Sequence, residues 1–304
     1  MPPKPLPTCS LPRGSYLPIN RCNLPAVILG GLTFQQQPAP LLIDGVADLY
    51  KDLFQRLGRL PDQAQRAQQF CDYVDVHFCL DDPAAAGYSP GGEGRPKANW
   101  QRAIRGWFFD SDSREGAVLK AWVESRFGLL TRFHQGPIRD FNGHTYLNYL
   151  QARARGLYNT NALEAQLDLV YSYCQYELSQ PRQNSKNPNR SPTHLTLYRG
   201  INRLEQLERM DQQLERIDRP LEQIDKPLAQ NETAQQELPV LLMNNLNSFS
   251  LDPERASEFG DRVVKIQVPI QKVLCFDQLF PGLLKGEGEY LVVGGLYRVE
   301  GWVY

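Results

Sequence analysis

The sequence predicts an α+β fold in which an N-terminal all-helical region packs on a C-terminal antiparallel β-sandwich. Over 44–178 apolar residues recur at spacings of three and four, the period of an amphipathic helix. After residue 193 the pattern changes to short apolar or alternating runs bounded by Gly, Pro, Asn and Asp, as strands require. Between the two lies 179–192, polar, with three prolines and no periodicity, which reads as an exposed junction. The expected boundaries are 1–180 for the helical region and 193–304 for the strands.

In the first region Leu49, Leu53, Phe54 and Leu57 open the helical pattern, and Ala64, Ala67, Phe70, Cys71, Val74 and Phe78 continue it. Trp107, Val118, Leu119, Trp122, Val123 and Phe127 form a set that closes on Gly128, a residue suited to the left-handed turn after a helix. Over 159–178, Leu163, Leu167, Val170, Tyr171, Cys174 and Leu178 share a face; Asn159 or Thr160 is the expected N-cap, and Glu164 complements the helix dipole. Strands are expected at 194–198, 240–246, 263–268, 273–276, 290–293 and 296–304. A short helix interrupts them, capped by Asp252, with Pro253 in its first turn, Ala256 and Phe259 turned inward and Gly260 at its end. The segment 202–237 reads as a surface insertion. Within it 217–223 is nearly repeated as 224–230, with coiled-coil spacing but with Pro220 and Pro227, each of which costs about 3 kcal/mol in a helix interior.

With 304 residues, 41% hydrophobic and 22% charged, the chain can bury one large core or two of ordinary size. A formal net charge of −1 gives no general attraction to nucleic acid or to anionic membranes. No run reaches the ~18 apolar residues of a membrane span, and the proline-rich start lacks a cleavable apolar core, so a cytoplasmic location is expected. The six cysteines form no C-x-x-C pair, and Cys71, His77 and Cys79 lack a fourth ligand, so neither a disulfide framework nor a metal site is expected.

Three short motifs stand in strand context: Tyr198-Arg199-Gly200, Ser248-Phe249-Ser250 and Glu287-Gly288-Glu289, the last running into Tyr290-Leu291-Val292-Val293. An arginine, a serine and a paired glutamate are the groups needed to hold a dinucleotide by its phosphates and break its glycosidic bond, so NAD is the expected co-substrate. Arg199 offers a guanidinium fork that matches phosphate oxygens, and Gly200 lets backbone approach the nicotinamide amide. Ser248 and Ser250 alternate with Phe249, so their hydroxyls share a strand face, where one can reach the catalytic carboxylate and the ribose. Cleavage develops an oxocarbenium-like cation, and Glu289 is the carboxylate expected to stabilise it. Glu287 is expected to face the same way on an extended backbone and to serve the acceptor. Phe280 and Leu283, in the apolar loop before the glutamates, are expected to recognise that acceptor. Trp100, Trp107 and Trp122 read as core, and His134 and His144 have no Ser or Cys partner at a catalytic spacing.

In their order and strand context the motifs resemble the arginine-serine-glutamate class of mono-ADP-ribosyltransferases, in which the E-x-E form goes with arginine as acceptor. Further stretches at 18–25, 32–35, 118–129 and 156–168, with Asn244-Asn245-Leu246-Asn247-Ser248-Phe249, make the chain similar nearly end to end to the dinitrogenase reductase ADP-ribosyltransferase family. The resemblance implies a sandwich of the ADP-ribosyltransferase type and transfer of ADP-ribose from NAD to one arginine of the nitrogenase iron protein, switching off nitrogen fixation. It also implies control by a PII signalling protein. The helical region, larger than NAD binding requires, is expected to read acceptor and regulator. The 202–237 segment is longer than the family pattern. Two other readings stay open on the residues alone: an NAD glycohydrolase with water as acceptor, for which Glu287 is superfluous, and a non-catalytic PII-responsive binding module.

Overall fold

Three helix starts in the first region are set by side chains that accept the otherwise unpaired N–H groups of a first turn. Asp62 does this for helix α5 (Gln63–His77), Asn99 for α6 (Trp100–Phe109) and Ser113 for α7 (Arg114–Phe127). Gly128 ends α7 at φ 71°, as the sequence pattern implied. Upstream lie α1 (Ala26–Leu29), α2 (Leu32–Gln36), α3 (Val46–Leu49) and α4 (Lys51–Leu57); α8 (His144–Leu157) and α9 (Leu163–Ser179) complete the set. The computed structural model describes residues 10–89, 91–180, 192–201, 208–209, 239–284 and 288–303.

Three helical details differ from expectation. Trp107 is not continuous with the 118–127 face: a break at Asp110–Ser113 places it on α6. The N-cap of α9 is Ala162, at φ 45°, because Thr160 spends its hydroxyl on the Leu157 carbonyl instead. Leu49 is exposed, while Leu53 and Leu57 are fully buried.

The strands are β1 (His194–Ile201), β2 (Glu208–Arg209), β3 (Val240–Ser250), β4 (Arg262–Pro269), β5 (Val273–Phe276), β6 (Glu289–Arg298) and β7 (Gly301–Trp302). They hydrogen-bond as one antiparallel sheet in the order β5-β6-β3-β1-β4-β7, with β2 added on β3. The α+β architecture, helices first and sheet second, is therefore as expected. The run at 290–293 continues through Gly294 and Gly295 to Arg298 as the single strand β6, and the rest of the 296–304 run contributes β7. A register shift in β3 between Met243 and Leu246 makes this possible: a Cβ on Gly294 would lie 1.6 Å from the Asn244 carbonyl oxygen, so only glycine passes. Asp252 caps helix α10 (Pro253–Ser257) and Ala256 is buried, but Phe259 is 71% exposed instead of inward. Of the 202–237 insertion, the pair Glu208–Arg209 is β2; the duplicated 217–230 lies outside the described residues.

One apolar core runs from α1 through α9 into β6, so helices and sheet are not packed separately. Polar side chains register the two regions. Asn244 accepts from the Arg132 and Phe133 N–H groups and donates to the Phe133 carbonyl, while Asn245 donates to the Lys120 and Leu129 carbonyls. Gln35 bridges the Gln267 and Arg298 backbones in the same manner.

Lys272 is fully buried and donates 2.9 Å to the Gly294 carbonyl, with its ammonium 4.4 Å from the Tyr297 ring centroid. Burial pushes it down to about 7, against ~10.4 in an unfolded chain. Between those values the unfolded chain binds more protons than the folded one, so stability rises with pH. We expect Lys272 to contribute a gain of about 1 kcal/mol between pH 7 and pH 8, read as the difference between the wild-type and Lys272→Met urea-unfolding profiles. Parallel wild-type and Lys272→Met profiles across this window would contradict the lowered lysine.

Candidate active site

Strand pairing gathers the three motifs. β3 lies between β1 and β6, with Ser250 opposite Glu289 on one side and opposite Tyr198 on the other. Arg199, near the end of β1, donates from Nη1 to the Ser248 carbonyl at 2.7 Å, and its guanidinium sits 6.0 Å from the Phe249 ring centroid. Ser248 pairs with Leu291, one diagonal step from Glu289 on β6, which turns its hydroxyl toward that carboxylate. Burial pushes that carboxyl up to about 7, although the Ser248 hydrogen bond and the Arg199 charge favour its ionised form; nearby Asp277 adds to the rise. Arg199 is drawn down to about 10 by burial, against the opposing effect of Glu289, and so remains a cation throughout the neutral range.

The remaining predicted residues fall in different places. The Ser250 hydroxyl accepts from the Asp252 N–H at 3.0 Å, so it shapes the turn into α10 while Ser248 meets the glutamate. A Cβ on Gly200 would lie 2.1 Å from the Ala256 carbonyl oxygen, so glycine is required there by α10, although the residue also lines the cleft. Gly288 has φ 76°, in the left-handed region that favours glycine. Glu287 lies outside the described residues.

Phe280 corrects the acceptor-loop expectation. It is 1% exposed, with its ring 4.6 Å from Trp100, 5.3 Å from Phe70 and 5.4 Å from Tyr173. A Phe beside Pro-Gly looks like a loop tip in sequence, but these aromatics take it into the core. Leu283 is half-buried against the same core, and its carbonyl accepts from Arg105 at 2.8 Å.

A cleft of about 240 Å³ opens beside the motifs, lined by Trp107, Lys120, Phe133, Arg199, Asn247 and Ser248 among others. Trp107 is buried, as expected for a core aromatic, but its Nε1–H donates to the Ser248 hydroxyl at 2.8 Å. Lys120 is 1% exposed, with Nζ 2.7 Å from Asp112 and 3.2 Å from His134 Nδ1. Burial lowers the lysine, Asp112 opposing it, and burial with the adjacent Lys120 charge brings His134 down to about 4. The imidazole is thus neutral at pH 7 and accepts the lysine's hydrogen bond. Asp277, also buried, accepts from the Gly288 N–H at 2.9 Å and so fixes the approach to Glu289. Sequence reading did not find Trp107, Lys120 or Asp277 because each acts through a contact distant in the chain. The available hint was that a buried indole N–H needs an acceptor.

A cation, a hydroxyl and a half-buried carboxylate thus stand on three neighbouring strands beside a cleft. The family model for dinitrogenase reductase ADP-ribosyltransferase matches residues 19–301, and the chain belongs to that family. It is 36% identical over 288 residues, 92% of this chain and 93% of the relative, to the NAD(+)–dinitrogen-reductase ADP-D-ribosyltransferase of Rhodospirillum rubrum. No solved structure matches it. Among the described residues no helix is long and apolar enough to cross a membrane, and no three His, Cys, Asp or Glu side chains group as metal ligands would.

Proposed function

We propose that this chain transfers ADP-ribose from NAD to an arginine of dinitrogenase reductase, with a PII-type protein as regulator and the helical region reading both proteins. The arrangement that carries the reading is the pairing of β3 with β6, which sets Ser248 beside Glu289, together with the Arg199 bond to the Ser248 carbonyl. Arg199 faces the diphosphate, one N–H being committed to the Ser248 carbonyl and the others remaining for phosphate oxygens. As the bond from ribose to nicotinamide breaks, its electron pair goes to the departing ring nitrogen, and Glu289 stabilises the ribosyl cation left behind. The acceptor guanidinium then forms the new carbon–nitrogen bond, and Glu287 takes the proton it loses. Leu283, at the half-buried edge of the loop before the glutamates, remains a candidate acceptor contact.

The division between the glutamates is testable. In Glu287→Gln, labelling of dinitrogenase reductase should fall by about 10²-fold, within the range typical of a lost general base. Nicotinamide release should survive, since water as acceptor needs no such help. Both are measured in the same tube, and equal loss of the two activities would contradict separate roles.

A further inference from the structure

We infer that Trp107, carried by the helical region, is a positioning residue of the cleavage site: its indole N–H fixes the Ser248 hydroxyl against the Glu289 carboxylate, so the strands alone do not complete the site. The inference rests on the reading of Glu289 as the carboxylate that acts on the donor. It goes further by assigning a chemical task to a helix expected to serve only recognition and packing.

A serine hydroxyl has one proton and rotates freely to suit its neighbours. With Trp107 Nε1–H occupying one lone pair at 2.8 Å, the Ser248 proton is left to point at Glu289. The Arg199 bond to the Ser248 carbonyl holds the same residue's backbone from the other side. Nothing lets the ring turn away. Trp107 is buried, and the Lys120 ammonium stands 5.6 Å from its ring centroid, anchored in turn by Asp112 and His134. Asp112 comes from the loop between α6 and α7, and Lys120 from α7, so two helices and their connection hold one donor in place.

The groups facing Glu289 are Arg199 from β1, Ser248 from β3, Asp277 and Cys275 from the β5 side, and Trp107, with Lys120 and Asp112 behind it. Only the Trp107 and Ser248 contacts are removed by the variants below. Both favour the ionised carboxylate, Ser248 as its neighbouring donor and Trp107 through the Ser248 hydroxyl it fixes, so their loss should raise the pH at which Glu289 ionises.

The test is the pH profile of nicotinamide release by the full chain. Wild type should show an acid limb near pH 7, from the half-buried Glu289 carboxyl. Trp107→Phe keeps an aromatic ring and removes the N–H; its limb should move up by about one pH unit, a roughly tenfold smaller carboxylate fraction on the acid side. The change should appear in kcat more than in KM. Ser248→Ala, a smaller change, should move the limb in the same direction and keeps the test open if Trp107→Phe folds poorly. An unmoved limb in either folded variant overturns the inference, even if the rate falls, because a packing role lowers the rate without retitrating Glu289. Glu289→Gln separates this from failure of the underlying reading: wild-type release in that variant would remove Glu289 from the chemistry altogether.

Discussion

Glu289→Gln should abolish nicotinamide release and protein labelling together, each by two to three powers of ten or more. Glutamine has the same shape and still accepts from Ser248, so the strand register that places it should survive. The lost element is a fixed negative charge at the centre where a cation develops, an effect of about 3 kcal/mol or more on the barrier. Burial magnifies the charge's influence, and the same burial raises the carboxyl to about 7. The wild-type rate should therefore climb with pH through that value, as the ionised form fills, and the variant should show no such climb. Loss of labelling with full nicotinamide release would assign Glu289 to the acceptor and not the donor.

The largest effect on stability should come from Asp168→Ala, far from the cleft. Asp168 accepts from Arg126 through both oxygens, at 2.7 and 2.9 Å, and from Trp122 Nε1 at 2.7 Å. All three residues are buried, and Glu164 reaches only one arm of the guanidinium, at 3.3 Å. Removing Asp168 leaves a buried cation and an indole N–H without their main acceptor, which typically costs 3–5 kcal/mol, or about 10 °C in melting temperature for a chain of this size. The exposed Arg56–Asp52 pair, 3.7 Å apart with both side chains more than half exposed, is the internal comparison. Asp52→Ala should cost less than about 1 kcal/mol. Similar losses in the two variants, by thermal or urea unfolding, would contradict the ranking by burial.

The fold and the three motifs were legible in sequence for a local reason. Helical spacing around Phe70, Val74 and Leu167, and short apolar runs around Leu197 and Val264, follow from which residues the core must receive, and those residues are buried. Arg199, Ser248 and Glu289 each sit in or at the end of such a run, so strand context could be read before any pairing was known. Orientation at the ends of elements was not legible. Phe259 looked inward by helical period, but α10 ends at Ser257 and the period stops before reaching it. The expectation that Glu287 faces the same way as Glu289 falls outside the described residues. Phe280 looked like a recognition residue because the aromatic rings that bury it come from α5, α6 and α9, far away in sequence. Trp107 was read as core, and it is; its hydrogen bond to Ser248 depends on how α6 lies against β3, which no local pattern encodes.

The central claim, that a site built on Arg199, Ser248 and Glu289 delivers ADP-ribose to a protein, is tested most directly by incubating the chain with purified dinitrogenase reductase and NAD labelled in its adenine ring. Wild type should place the label on an arginine of dinitrogenase reductase, with nicotinamide released in step, and Glu289→Gln should place none. Nicotinamide released without label on the acceptor, or equal labelling by the Glu289→Gln variant, would contradict it.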